Sequence, residues 1–365
     1  MRRGSLLLVV AAVAPVALWL ASHASSSDRS AQAENDAIEA IASRALAEME
    51  KRYPEGAKQR LRRDAHAKAH GCARGLFTVD AGLAADLRVA TFAEPGATFR
   101  AWVRFSNGAF EPGSDAGLDG RGMAMKLLAP GAGSEHDFLA INYPQFFSPD
   151  AFDYRDFAQA GALTGDSAGL RRYFAPDANP FDWRIRQAAI AYAIASQKAE
   201  SPLRLSYYSM SAYRFGVDRA VKFVLRPCGV APPAEPGDQG PDYLRRALVD
   251  DIAGKPACFA LLLQFRAEGL SVDDVTQEWP EGKSPFRKLG ELTLPVQKVD
   301  APARDELCEA LRFTPWNAPA EMEPLGSLNR VRKVVYDAIS ALRHRRNGVP
   351  VPDPAQAFQA EGPLD

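Results

Sequence analysis

From Asp36 to Lys51 the apolar residues Ile38, Ile41, Leu46 and Met49 recur at helical intervals, which predicts a helix with one buried face. Pro54-Glu55-Gly56 ends it, and a basic stretch with Arg60, Arg62 and Arg63 follows. Gly75 to Val79, Thr98 to Phe105, Ala124 to Leu128 and Asp137 to Ile141 then read as strands. Residues 155–199 are helical by composition, with a break around Pro176 to Pro180. A second strand-rich stretch, Leu203 to Leu225, holds Tyr207, Tyr208, Tyr213, Phe215 and Val221 to Val224. Ala231 to Asp242 is Pro/Gly-rich and reads as a loop, and Cys258 to Phe265 is a near-continuous apolar strand. Leu292 to Val296 is a further strand candidate, which Pro295 would confine to a sheet edge. The strongest signal comes late. From Leu328 to Arg345, the residues Leu328, Val331, Val335, Ile339 and Leu342 keep helical spacing almost without error. Strands first and helices later predict an α+β fold built on a barrel rather than a doubly wound sheet.

The start of the chain has a different pattern. Arg2 and Arg3 precede an apolar run from Leu6 to Ala21 and then small residues, the order of a secretory signal over residues 1–24, or of an N-terminal anchor if uncut. Residues 25–58 read as a Ser/Ala/Asp-rich linker (25–36) and the first helix, residues 59–348 as one domain, and residues 349–365 as a loose Pro-rich tail. No second apolar span follows, so the mature chain reads as soluble and exported, periplasmic or secreted. A hydrophobic share of 47% supports a sizeable core. Net charge of −1 removes any global basic field that would point to nucleic acid or anionic lipid. Export permits disulfides, and Cys72, Cys228, Cys258 and Cys308 allow three pairings. None of them has zinc spacing.

Three regions hold polar residues that an ordinary core does not ask for. In Arg63-Asp64-Ala65-His66-Ala67-Lys68-Ala69-His70, an extended backbone would turn His66, Lys68 and His70 to one side; an exposed polar strand is the plainer alternative. Asn142 sits in the apolar run Asp137 to Phe147, where it needs buried partners or serves a turn before Pro144. On the last helix Arg332, Tyr336 and Arg343 stand at i, i+4 and i+11 and share a narrow arc beside the apolar stripe. A guanidinium one turn from a phenol favours the phenolate. A solvated basic helix with a half-buried tyrosine would look the same.

Five motifs in order bring these regions together. Val103-Arg104-Phe105-Ser106 followed by Asp119-Gly120-Arg121-Gly122-Met123-Ala124-Met125-Lys126 resembles the haem catalase signature. Arg63 to Lys68 resembles the Arg-x-x-His-Ala-Lys around that family's distal histidine, and Asn142 to Phe147 its Asn-x-Pro-x-Phe-Phe. Thr276-Gln277-Glu278-Trp279-Pro280 with Leu289-Gly290-Glu291-Leu292 is similar to a later segment. Arg332-x-x-x-Tyr336 with Arg343 matches the proximal motif. The resemblance covers roughly residues 60–347 and is closest in kind to the small catalase-related peroxidases. The chain departs from the pattern in several places. It is shorter than full catalases, Asp337 replaces a proline and Ser340 a histidine. The stretch from His66 to Phe77 is one residue longer, so His66 and His70 both stand as distal candidates.

The resemblance implies an antiparallel β-barrel wrapped by helices, with a haem b in the barrel. Tyr336 would bind its iron, as tyrosine does in catalases, and Arg332 would hold that tyrosine as phenolate. His66 (or His70) would exchange the proton of the peroxide, Ser106 would orient the imidazole and Asn142 would donate a hydrogen bond. Arg63, Arg104 and Arg343 would bind the propionates. The implied activity is a haem-dependent peroxidase using hydrogen peroxide or organic hydroperoxides with a small reducing donor. True dismutation of hydrogen peroxide and haem binding without turnover are the alternatives, and a homo-oligomer is left open.

Overall fold

The structure is a computed structural model that describes residues 31–128, 135–229, 233–237 and 240–364. The expected signal segment lies outside the described residues, as do 25–30 of the linker and parts of the 231–242 loop. Strands β1 (Ala69–Val79), β2 (Thr98–Asn107), β3 (Arg121–Leu128) and β4 (Glu135–Ile141) form an antiparallel meander. It continues through the two-residue β5 (Tyr207–Tyr208) to β7 (Ala220–Pro227), β8 (Ala257–Phe265) and β9 (Arg287–Leu294). β9 then pairs with β1 and closes an eight-stranded barrel; β6 (Tyr213–Arg214) hangs on β7. The expected edge strand at Leu292 is therefore an interior one. Pro295 falls just past its last residue, so no ladder donor is lost. Gly290 lets β9 approach β1, because a Cβ there would run into the Thr78 carbonyl.

Along β2, Phe99, Ala101, Val103 and Phe105 alternate into the lumen and join Phe77, Phe138, Phe223 and Phe259 in one core. Eight strands enclose a lumen that such side chains fill. The cavity that gathers the expected site residues lies against the outer face of this wall, beside the packed lumen. The outward residues of β2 (Trp102, Arg104 and Ser106) are buried too, because helices cover the barrel wall.

Helix α1 (Ala31–Arg52) starts earlier than the apolar spacing alone indicates, so residues 31–36 are helix rather than linker. It buries Ile38, Ile41, Ala45 and Met49 against α2 (Ala151–Gln159) and α7 (Ser327–Asn347). The helical stretch expected over 155–199 divides into α2, α3 (Ser167–Phe174) and α4 (Ile185–Ala195). Two helices were not legible in the spacing: α5 (Tyr243–Gly254) and α6 (Pro302–Ala310). α7 ends at Gly348, whose φ of 65° suits a glycine C-cap. The tail is ordered, against expectation. Asp353 caps α8 (Pro354–Ala360), and Phe358 packs edge-on to Trp102 with ring centroids 5.5 Å apart. Arg74 also bonds the Gly362 carbonyl at 2.6 Å. Proline is at home at the first position of a helix, so four prolines did not mean a loose segment.

Disulfides join Cys72 to Cys308, tying α6 to β1, and Cys228 to Cys258 at the ends of β7 and β8. Among the described residues no helix is long and apolar enough to cross a membrane.

Candidate active site

A cavity of about 220 Å3 lies between the outer face of the barrel and α7. Barrel residues lining it include Arg104 and Ser106 of β2, Gly122 and Ala124 of β3, and Leu139 and Ile141 of β4. These positions are cross-strand partners or alternate with them, so one sheet face presents them all. α7 contributes Arg332, Val335, Tyr336, Ile339, Ser340 and Arg343. The segment Arg63–His66, which precedes β1, completes the lining on the barrel side.

His66 is held in place from several directions. Its backbone sits at φ 60°, one of three non-glycine residues with positive φ among those described, and Met210 (φ 53°) lines the same cavity. Such conformations survive only where the surroundings impose them. Here the His66 amide donates to the Gly108 carbonyl (3.1 Å), and the His66 carbonyl accepts from Arg104 (2.8 Å). The imidazole Nδ1 lies 3.0 Å from Ser106 Oγ, which leaves Nε2 for the cavity. Gly122 provides the space, since a Cβ there would stand 2.5 Å from the His66 ring. Burial and the nearby Arg104 guanidinium push the imidazole down to about 4, so it is neutral and able to accept a proton at physiological pH.

A β-bulge separates the surroundings of the two histidines. Register between β1 and β2 shifts between Ala69 and Gly71, and His70 is the extra residue. His70 does not line the cavity. Its Nε2 bonds Asn107 Oδ1 at 2.9 Å, Asn107 in turn bonds Asp115, and Lys68 pairs with Asp115 at 2.7 Å. The expected shared face of His66, Lys68 and His70 therefore does not form, because His66 precedes the strand and is in the left-handed region.

Asn142 is also elsewhere. Both ends of its amide serve the backbone: Oδ1 accepts from Arg121 N and Nδ2 donates to the Ile194 carbonyl, each at 2.8 Å. It ties β3 to the end of α4 and does not line the cavity. The expected hydrogen bond from Asn142 to a peroxide would have to come from the second hydrogen of Nδ2, on a residue outside the cavity lining.

On α7, Arg332 Nε lies 3.4 Å from the Tyr336 hydroxyl, and Nη1 donates to Asn329 Oδ1 at 3.0 Å. Burial opposes the charge on Arg332, but the phenols of Tyr336 and Tyr213 outweigh it and hold the guanidinium above its ordinary value.

Arg63, Arg104 and Arg343 converge on Glu309 of α6, a residue the motifs did not reveal. Arg63 and Arg104 approach its carboxylate at 3.2 and 3.3 Å, and Arg343 donates to its carbonyl. Arg63 also donates to the Leu311 carbonyl at 2.7 Å, capping the negative end of α6. Burial would raise Glu309, yet the three guanidiniums hold it below its usual value. Burial and the neighbouring Arg63 lower Arg104 and Arg343 to about 9 each. Arg104 Nε is buried without a hydrogen-bond acceptor. One carboxylate thus faces three guanidiniums, with a surplus of positive charge. An apolar slot with a phenol at one wall and a net positive rim fits a flat hydrophobic group bearing two carboxylates, which is the chemistry of haem b.

The family model described as Catalase matches residues 23–217. A catalase of Methanosarcina barkeri is 26% identical over 258 residues, covering 63% of this chain and 48% of that protein. Catalase T of Saccharomyces cerevisiae is 27% identical over 275 residues, with 69% and 48% covered. The chain spans about half the length of these curated relatives. Among solved structures, catalase A of Saccharomyces cerevisiae superposes with a TM-score of 0.65 at 19% identity, over 85% of this chain and 66% of that one. With the family match extending over more than half of its residues, the chain belongs to the catalase family.

Proposed function

We propose that the chain is a haem peroxidase, reducing hydrogen peroxide or an organic hydroperoxide at the expense of a small reducing donor. The observation that carries this reading is the neutral His66, with Nδ1 fixed on Ser106, lining the same cavity as the Arg332–Tyr336 pair. The Tyr336 oxygen, 3.4 Å from Arg332 Nε, would hold the iron, and Arg63, Arg104 and Arg343 would receive the propionates. Bound there, a haem supplies the redox chemistry that cleaves the O–O bond. His66 Nε2 takes the proton of the incoming hydroperoxide and returns it to the departing oxygen, and Ser106 keeps the ring aimed throughout.

Peroxidase turnover is favoured over dismutation by the position of Asn142. Dismutation needs a second hydrogen peroxide bound and oriented as reductant, and Asn142, whose amide is bonded to Arg121 N and the Ile194 carbonyl, does not line the cavity with His66. Dismutation remains the second reading because the curated relatives are named catalases. An exported location is part of the proposal, supported by the two disulfides.

The test is to record the absorption spectrum of the purified protein, then measure dye oxidation and oxygen release on one preparation, normalised to haem. A Soret band and dye oxidation in excess of oxygen release are expected. Rapid oxygen release with negligible dye oxidation would make the protein a small true catalase, and absence of haem uptake would remove the enzyme reading.

A further inference from the structure

The peroxide chemistry assigned above leaves a line of aromatic rings unused. Phe146 and Tyr154 line the cavity. Behind Tyr154, Phe157 stands three residues on along α2, with ring centroids 5.4 Å apart and planes 20° from parallel. Phe157 meets the ring of Tyr173 on α3 edge-on at 5.1 Å. A second line runs from Phe146 to Phe147 at 4.5 Å and on to the same Tyr173 at 6.1 Å. Both lines lead out of the cavity and converge on one phenol. Its hydroxyl donates to the two oxygens of Asp153, at 2.8 and 2.7 Å. A buried tyrosine hydroxyl ordinarily finds a partner, but a serine or a carbonyl would meet that need without drawing a charge into the core. Burial raises Asp153 to about 6, against the Tyr173 hydrogen bond and the Arg184 charge, so near neutrality it is ionised and free to accept a proton from the phenol.

The surface above Tyr173 is aromatic as well. Residues 180–184 fold back on the end of α3, where the Arg184 amide donates to the Phe174 carbonyl at 2.8 Å. The Arg184 guanidinium lies 4.6 Å from the Tyr173 ring centroid, and half-buried Phe174 is 4.8 Å from the same ring. On this turn Phe181 is 86% exposed and Trp183 43%. These are large apolar rings that the fold leaves in solvent next to the far end of the line.

We propose that Tyr173 is a redox relay between the cavity and an electron-entry site on this surface, where an aromatic one-electron reductant meets the exposed rings of Phe181 and Trp183. This rests on the peroxidase reading and names the place where its reductant acts. Tyr173 gives one electron, by way of Phe157 and Tyr154, to the site that peroxide has left oxidised, and its phenolic proton passes to Asp153. The reductant outside then returns one electron to the Tyr173 phenoxyl, and Asp153 returns the proton. Two such cycles, with two protons from solvent, complete the reduction of one hydroperoxide to water and an alcohol, or of hydrogen peroxide to two waters. Each reductant leaves as its one-electron oxidised form. The donor therefore has no need to enter a cavity that the haem occupies.

The experiment uses the haem-loaded full chain as wild type, Tyr173→Phe, Asp153→Asn and, as a control, Tyr192→Phe, which alters an exposed tyrosine outside both lines of rings. Tyr173→Phe keeps the packed ring and removes the hydroxyl. Asp153→Asn keeps an acceptor for the hydroxyl but takes no proton at neutral pH. Samples frozen within milliseconds of mixing with hydrogen peroxide are read by electron paramagnetic resonance for a tyrosyl radical, and oxidation of the aromatic reductant ABTS is followed on the same preparations. We expect a tyrosyl signal in wild type and Tyr192→Phe that is at least fivefold weaker in Tyr173→Phe and in Asp153→Asn, with ABTS oxidation at least tenfold slower in both. A signal undiminished in Tyr173→Phe, no tyrosyl signal in the wild type, or ABTS oxidation at the wild-type rate in Tyr173→Phe overturns the relay. Haem content and peroxide consumption of the wild type separate the two levels. A protein that takes up haem and consumes peroxide, yet shows no Tyr173 dependence, loses only the relay. A protein that takes up no haem loses the peroxidase reading and the relay with it.

Discussion

Single residues carry much of the chemistry in this cavity. His66 is neutral down to about pH 4, so it can accept a proton wherever the fold persists. Replacing it by alanine should slow the reaction with peroxide by roughly 10²–10⁴-fold, whereas His70→Ala, behind the barrel wall, should change that rate little. Stopped-flow traces of both variants decide the matter, and a large loss at His70 with none at His66 would reverse the assignment. The rate constant of the wild type should stay level as pH falls from 7 and drop only near pH 4, because protonation of Nε2 removes the base. Asp64 has the opposite sign in stability. Its folded pKa of about 7 exceeds the unfolded value, so the folded state resists ionisation and loses stability as pH rises from about 4 to 7. Asp64→Asn should therefore be more stable than wild type at pH 7, by on the order of 2–4 kcal/mol, and near parity at pH 4. Urea melts at the two pH values measure the difference. Not all of this could be read in the sequence. Arg63, Arg104, Ser106, Arg332, Tyr336 and Arg343 come from motifs in family order, and the structure gathers them in one cavity. Asn142 matched its motif equally well and is turned away, because a motif records residue types and not which hydrogen bonds they make.

At the level of elements, α7 was the most legible part of the chain and α6 among the least. The stripe of α7 faces a continuous partner surface, so apolar spacing reports it directly. α6, by contrast, is nine residues long with four of them charged, and has Arg304 and Cys308 as its buried residues. It is held by Cys72–Cys308, by Arg63 at its C-terminal carbonyls and by Arg245 paired with Asp305 at 2.6 Å. None of these is a periodic signal. Glu309 follows Cys308 directly, so the disulfide fixes the carboxylate among the arginines. Paired Cys72→Ser and Cys308→Ser changes should lower stability by up to about 5 kcal/mol, the value for closing so long a loop. They should also weaken haem retention, as the arginines lose their fixed counter-charge. Denaturant melts and haem transfer to apomyoglobin measure the two effects, and retention unchanged from wild type would show that α6 does not organise the propionate end. Tyr336→Phe should act at the other wall. Loss of the phenolic oxygen should shift the Soret spectrum and lower haem content, and a wild-type spectrum would remove Tyr336 as ligand.

Over the whole molecule, the barrel was expected and the location of its cavity was not. Alternation along β2 predicts a two-faced strand, but both faces are apolar or buried here, so the sequence alone could not tell lumen from outer wall. The C-terminal tail posed a similar problem. Its prolines suggested a loose end, and the contact that fixes it, Phe358 on Trp102, joins residues 256 positions apart. Truncation after Val349 should expose Trp102 and cost roughly 2–4 kcal/mol, read as a lower melting temperature and a red-shifted tryptophan emission. An unchanged melt would mean that the docked tail contributes nothing to the barrel.

The two walls of the cavity come from opposite ends of the described chain: His66 and the β2–β4 face early, Tyr336 and its helix near the close. A polypeptide growing from its N-terminus has half a site for most of its synthesis. The barrel cannot close until β9 returns to β1, and Tyr336 emerges later still. A cofactor present during translation would find a basic, partly apolar surface with nothing to grip it from the second side. On the haem reading proposed above, loading would therefore belong after chain completion, in whichever compartment the finished protein folds, and haem supply in that compartment, rather than at the ribosome, would set how much of the protein becomes active.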